Sequence, residues 1–187
     1  MADGGSCHRR VLVLGHSFVR RLGEFLEGEE IEICGHRVTF RGWGGAIVKD
    51  LRDRLVGIDV ANFCTVYVEI GTNDLCSEPG DIVASNIWAL VAYLRTHGAA
   101  QVIVGQILFR TTRRVGGPSV AQFRARVEEV NARMRDWMGA RDDVFFWRHR
   151  RLQNQRLLPY DGAFPPPLHD KLLAKCAWRS DDMFMLL

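Results

Sequence analysis

The chain has 187 residues, enough for one domain that buries about 70% of its extended surface. Charged residues make up 25% and apolar residues 47%, an ordinary globular balance, and no apolar run nears the ~20 residues of a membrane span. Net charge is only +3, and five widely spaced cysteines argue against both a disulfide framework and a clustered metal site.

Residues 1–9 read as a flexible tail without the apolar core of a signal peptide, so cytosol or nucleus is the expected compartment. Val-Leu-Val-Leu at 11–14 is a short apolar strand, followed by a helix with Val19, Leu22 and Leu26 on one face. Residues 31–40 read as a second strand that ends at Arg41-Gly42-Trp43-Gly44-Gly45. Ile47, Val48, Leu51 and Leu55 then recur at helical spacing. The third strand, 65–70, is nearly continuous in apolar residues, which suits a strand covered on both faces. Cys34 and Cys64 fall in these apolar runs and are expected as buried thiols.

After Pro79-Gly80 a long helix carries Val83, Ile87, Leu90, Val91 and Leu94 on one face and ends near Gly98. Residues 101–108 form a fourth strand. A basic loop through Gly116-Gly117-Pro118 leads to a helix capped by Ser119, with Phe123, Val127, Val130, Met134 and Trp137 or Met138 inside. The fifth strand is 143–147. From 148 to 167 the periodicity gives way to a long connection; 171–178 reads as a final helix and 181–187 as a flexible apolar tail. The alternation of strand and helix predicts an α/β fold, one domain over 1–187, with about five parallel strands and helices on both faces.

The chemistry gathers where strands end. Ser17 stands just after the first strand and just before a helix, where backbone N–H groups without intrahelical partners can receive an oxyanion. A serine there also serves as a helix cap, and the residues alone leave both roles open. Gly45 offers an N–H with no side chain in front of it, or simply a turn with positive φ. In Gly71-Thr72-Asn73-Asp74 the Asn73 amide is a donor of the kind worth about 3 kcal/mol to an oxyanion. Asp74 can bond backbone N–H groups to hold that loop, and Asn and Asp are common in turns for the same reason.

Of six histidines, His8 lies in the tail, His36 beside the second strand, His97 at a helix end and His149 in the basic run Arg148-His149-Arg150-Arg151. His16 adjoins Ser17, so its side chain is expected to point away from the hydroxyl. His169, with Asp161 eight residues earlier, remains as the base and its orienting carboxylate.

These blocks, in order, resemble the SGNH or GDSL-type hydrolase superfamily: Gly15-His16-Ser17, then Gly45, then Gly71-Thr72-Asn73-Asp74, then a late Asp and His. The resemblance implies a flavodoxin-like three-layer α/β/α sandwich and a catalytic set of Ser17, His169 and Asp161. It also implies an oxyanion hole of Ser17, Gly45 and Asn73, and cleavage of acetyl, acyl or thioester bonds. The chain is also similar to compact esterase-like domains in certain vertebrate and invertebrate retroelements. Two departures stand out. The first block has Gly-His-Ser for the usual Gly-Asp-Ser, and Phe164 occupies the position where Asp-x-x-His carries its histidine.

Two functions therefore follow: a serine esterase for short acyl esters, or a degenerate domain that binds without turnover. Arginine outnumbers lysine 22 to 3, and Arg148, Arg150 and Arg151 form a cluster suited to a phosphate-bearing partner such as nucleic acid. Solvated loops account for such clusters equally well, and no aromatic residues interleave them as in single-strand binders. No cofactor or metal is implied, because neither ligand spacing nor a phosphate-cradling glycine motif is present.

Overall fold

A computed structural model describes residues 9–26, 28, 30–33, 35–109 and 116–149. Six strands form one sheet in the order β2-β3-β1-β4-β5-β6. They are β1 (Arg9–Gly15), β2 (Glu30–Ile33), β3 (His36–Gly42), β4 (Thr65–Glu69), β5 (Gln101–Gly105) and β6 (Val144–Trp147). All neighbouring pairs are parallel except β2 with β3, an antiparallel edge.

Four α-helices are described, α1 (Ser17–Phe25), α2 (Val48–Arg54), α3 (Gly80–Thr96) and α4 (Val120–Met138), together with three single-turn 3-10 segments. Parallel neighbours need a crossover between them, and the helices supply it. Alternation along the strands sorts the core into two layers. Leu12, Leu14, Val66, Val68, Val102, Val104 and Val144 face α2, α3 and α4. Val11, Val38 and Phe40 face α1 through Val19 and Leu22. Helices therefore lie on both faces of the sheet, in the three-layer α/β/α arrangement of a flavodoxin-like fold.

One element differs from the sequence reading. The run 31–40 is not one strand but the hairpin β2–β3, with Ile33 opposite His36. Gly35 adopts φ +77° and turns the chain there. This raises the strand count from five to six and gives the sheet its antiparallel edge.

The chain leaves β1 for α1 on one face, and leaves β4, its direct neighbour, for α3 on the other. Adjacent strands whose helices depart to opposite faces open a crevice at their carboxyl ends, where ligands bind in open α/β sheets. Among the described residues, no helix is long and apolar enough to cross a membrane.

Candidate active site

Three loops meet at this crevice and are tied together pairwise. Trp43 N–H, after β3, donates to Gly15 O at the end of β1 (3.0 Å). The Asn73 amide, after β4, donates to Ala46 O beside Gly45 (2.8 Å). Thr72 Oγ1 lies 3.3 Å from His16 Nε2, and His16 N–H donates to Glu69 O (3.2 Å). The loops bearing Ser17, Gly45 and Asn73 thus form a closed ring of contacts on one edge of the sheet.

His16, not Ser17, is the N-cap of α1: its Nδ1 accepts the Phe18 N–H at 3.2 Å. Ser17 is the first residue inside the helix. The capping role that the sequence left open for the serine is filled by its neighbour, so the Ser17 hydroxyl is not required for it. His16 is buried, as a cap wedged between two loops must be.

Gly45 has φ +72°, and a Cβ there would meet nothing within 4 Å. The glycine is needed for its backbone conformation, and the space in front of it is open. Asp74 does hold its loop, through a bond that reaches across to the next helix: Val48 N–H donates to Oδ1 at 3.0 Å. Burial raises the Asp74 carboxyl above its ordinary value, and the charges of Asp50 and Glu78 add to this against the Val48 bond.

Beneath the Ser17 loop lies a cluster that the sequence reading did not assemble. Glu69, 3% exposed on the penultimate residues of an apolar run, accepts from Tyr67 Oη (2.8 Å) and faces His149 Nε2 (3.1 Å). A carboxylate only accepts, so Nε2 carries the hydrogen. Burial alone would raise the Glu69 carboxyl. The charge and hydrogen bond of His149, with lesser help from His16 and Tyr67, outweigh it and hold the group below its ordinary value. Burial, followed by the Glu69 charge and hydrogen bond, pushes the Tyr67 hydroxyl well above its usual range.

The contact spans β5, and Gly105 permits it: a Cβ there would overlap Glu69 Oε2 and Tyr67 Oη. His149 N–H donates to Gln106 Oε1 (3.2 Å), fixing the chain as it leaves β6. Since β6 stands three inter-strand steps of ~4.8 Å from β1, and the inward nitrogen ends on Glu69, His149 braces the floor of the crevice. The missed signal was Glu69 itself. A carboxylate in an otherwise apolar buried strand requires a partner.

Of the residues singled out in the sequence, Ser17, Gly45 and Asn73 share this edge. Asp161, Phe164 and His169 lie outside the described residues, as do Arg150, Arg151, the helix expected over 171–178, the tail 181–187 and residues 1–8 of the expected tail 1–9, whose last residue Arg9 instead opens β1. Arg148 is exposed after β6. Cys34 also lies outside, and Cys64 is half-buried, not fully buried as expected, with Sγ donating to Arg10 O (3.1 Å). Its strand begins only at Thr65, which leaves the thiol at the sheet margin. Among the described residues no three His, Cys, Asp or Glu side chains gather as a metal site.

The family model for GDSL-like lipase/acylhydrolase matches residues 4–169. A GDSL-like lipase from Bacteroides thetaiotaomicron superposes with a TM-score of 0.72 at 17% identity, covering 100% of this chain and 93% of that one. A member of the lipolytic G-D-S-L family from Veillonella parvula gives 0.68 at 15%, covering 93% and 98%. The acetylxylan esterase Axe2 from Geobacillus stearothermophilus gives 0.60 at 16%, covering 91% and 93%. No curated protein sequence matches. These solved structures share the fold, whereas the family model spans most of the sequence, and on that ground the chain belongs to the GDSL-like lipase/acylhydrolase family, a family of hydrolases.

Proposed function

We propose that the protein is a serine esterase acting on short acyl esters. Ser17 Oγ attacks the ester carbonyl carbon while its proton passes to the base, His169, oriented by Asp161. The carbonyl oxygen gathers negative charge, received by the N–H groups of Ser17 and Gly45 and by the Asn73 amide. Collapse expels the alcohol, which takes the proton from the histidine and leaves Ser17 acylated. Water, deprotonated by the same histidine, then attacks the acyl carbon and releases the acid.

The observation that carries this reading is the ring of contacts joining three loops at the β1/β4 crevice, with His16 relieving Ser17 of the cap. The acyl preference rests on size, since one compact domain has little room for a deep lipid tunnel. The name of the acetylxylan esterase that shares the fold is in keeping with it.

Turnover of p-nitrophenyl acetate tests the proposal. Ser17→Ala and His169→Ala are each expected to abolish it, and a fluorophosphonate is expected to add covalently at Ser17. A wild-type rate no greater than that of Ser17→Ala would overturn the esterase reading.

A second reading, a domain that binds without turnover, is favoured by Phe164 at the usual histidine position. It is expected to show ligand binding with no acyl-enzyme by mass spectrometry. A nucleic-acid partner at Arg148, Arg150 and Arg151 is compatible with either reading. It requires RNA affinity that weakens steeply with salt and loses slope when those arginines are replaced.

A further inference from the structure

We propose that His16 is the positioning residue for the Ser17 nucleophile, a neutral imidazole that clamps the serine loop to the Asn73 loop. This rests on the reading of Ser17 as nucleophile. The geometry dictates the tautomer. Phe18 N–H points at Nδ1 from 3.2 Å, and a backbone N–H can only donate, so Nδ1 holds a lone pair. The ring hydrogen is then on Nε2, which faces Thr72 Oγ1 at 3.3 Å. One uncharged ring satisfies a donor at the start of α1 and gives a hydrogen to the loop that carries Asn73.

A protonated His16 cannot do this. With hydrogens on both nitrogens it has no acceptor for Phe18 N–H, and its charge would sit at the positive end of α1. No acidic residue in the first turn of the helix offsets that charge; Arg20 and Arg21 follow, and Glu24, further along, is paired with Arg20. Around the ring, Asp74 belongs to the facing loop and Glu69 lies below. The Glu69 carboxylate favours a proton on His16, but it is already engaged by His149 and Tyr67. The departure from Gly-Asp-Ser to Gly-His-Ser thus exchanges a permanent acceptor for one that works only while uncharged. Its consequence is a second ionisation in the activity profile, in addition to that of the catalytic base.

The test uses p-nitrophenyl acetate hydrolysis by the whole chain. His16→Ala is expected to lower kcat at least tenfold with KM within twofold, and His16→Asn and His16→Asp, which restore an acceptor, to recover most of the loss. On the acid side, log(kcat/KM) against pH is expected to approach a slope of two in the wild type and one in His16→Asn. Wild-type kcat in His16→Ala, or the same slope in wild type and His16→Asn, overturns the proposal. Should His16→Ala fail to fold, the slope comparison decides. Inactivity of the wild type, or activity surviving Ser17→Ala, is the separate failure of the esterase reading. Ring 15N shifts of His16 then still decide the clamp: an unprotonated Nδ1 at neutral pH supports it, and a protonated Nδ1 overturns it.

Discussion

Replacing Glu69 with glutamine removes one charge from the floor of the crevice and little else. In the wild type this carboxylate accepts from Tyr67 at 2.8 Å and His149 at 3.1 Å, with His149 only 12% exposed at its side chain. Glutamine keeps an acceptor oxygen for these donors, which leaves mainly the loss of charge-assisted hydrogen bonding, about 1.5–3 kcal/mol. For a domain of this size that is a fall in Tm of about 3–12 °C.

The pH dependence of the same variant has a definite sign. The folded protein holds Glu69 below its ordinary value of 4.5, so the unfolded chain binds that proton more tightly. The stability that Glu69 contributes is fully present above pH 4.5 and drains away as pH falls through the folded value. Urea denaturation followed by far-UV circular dichroism, at pH 7 and again near pH 4, measures both effects. Equal midpoints for wild type and Glu69→Gln at pH 7, or a gap that widens toward acid, would refute the reasoning.

Substitutions at three further positions probe how the edge is built. Gly105→Ala places a Cβ against Glu69 Oε2 and Tyr67 Oη, and is expected to cost about 1–3 kcal/mol by overpacking in the same urea assay. Asp74→Ala strands the buried Val48 N–H, a loss of about 1–3 kcal/mol. Asp74→Asn keeps an acceptor without the buried charge and is expected to match or exceed wild type at pH 7. Because burial raises the Asp74 carboxyl from 3.8, the wild type regains stability toward acid, and the Asn advantage should close as pH falls. Asn131 bonds both the N–H and the carbonyl of Ile107 at 2.9 Å. Asn131→Ala is therefore expected to cost about 2–4 kcal/mol and to speed amide exchange at Ile107.

Much of the architecture was legible because its signals are local. Ser119 accepts from Gln122 N–H in a capping box, and the buried face of α4 includes Phe123, Val127, Val130, Met134 and Met138, as the helical period requires. The apolar runs at 11–14 and 65–70 are the central parallel strands. The hairpin at β2–β3 was not legible, since its two strands are both β-prone and Cys34-Gly35 is not among the turn pairs that announce a reversal. His149 was hidden for a different reason. Flanking arginines mark it as surface, while its partner lies eighty residues away on a strand that reads as apolar.

By itself the sequence determined the alternation of strands and helices, the glycines and polar residues at strand ends, and the identity of the family blocks. Those depend on periodicity and on short-range chemistry, which a linear string records in full. Only the tertiary structure decided that the cap of α1 belongs to His16 and that Asn73 is tied to Ala46. It alone joined Glu69 to His149 across Gly105. Each is a contact between segments brought together by strand order, and strand order follows from how the whole sheet buries its two faces rather than from any one stretch of chain.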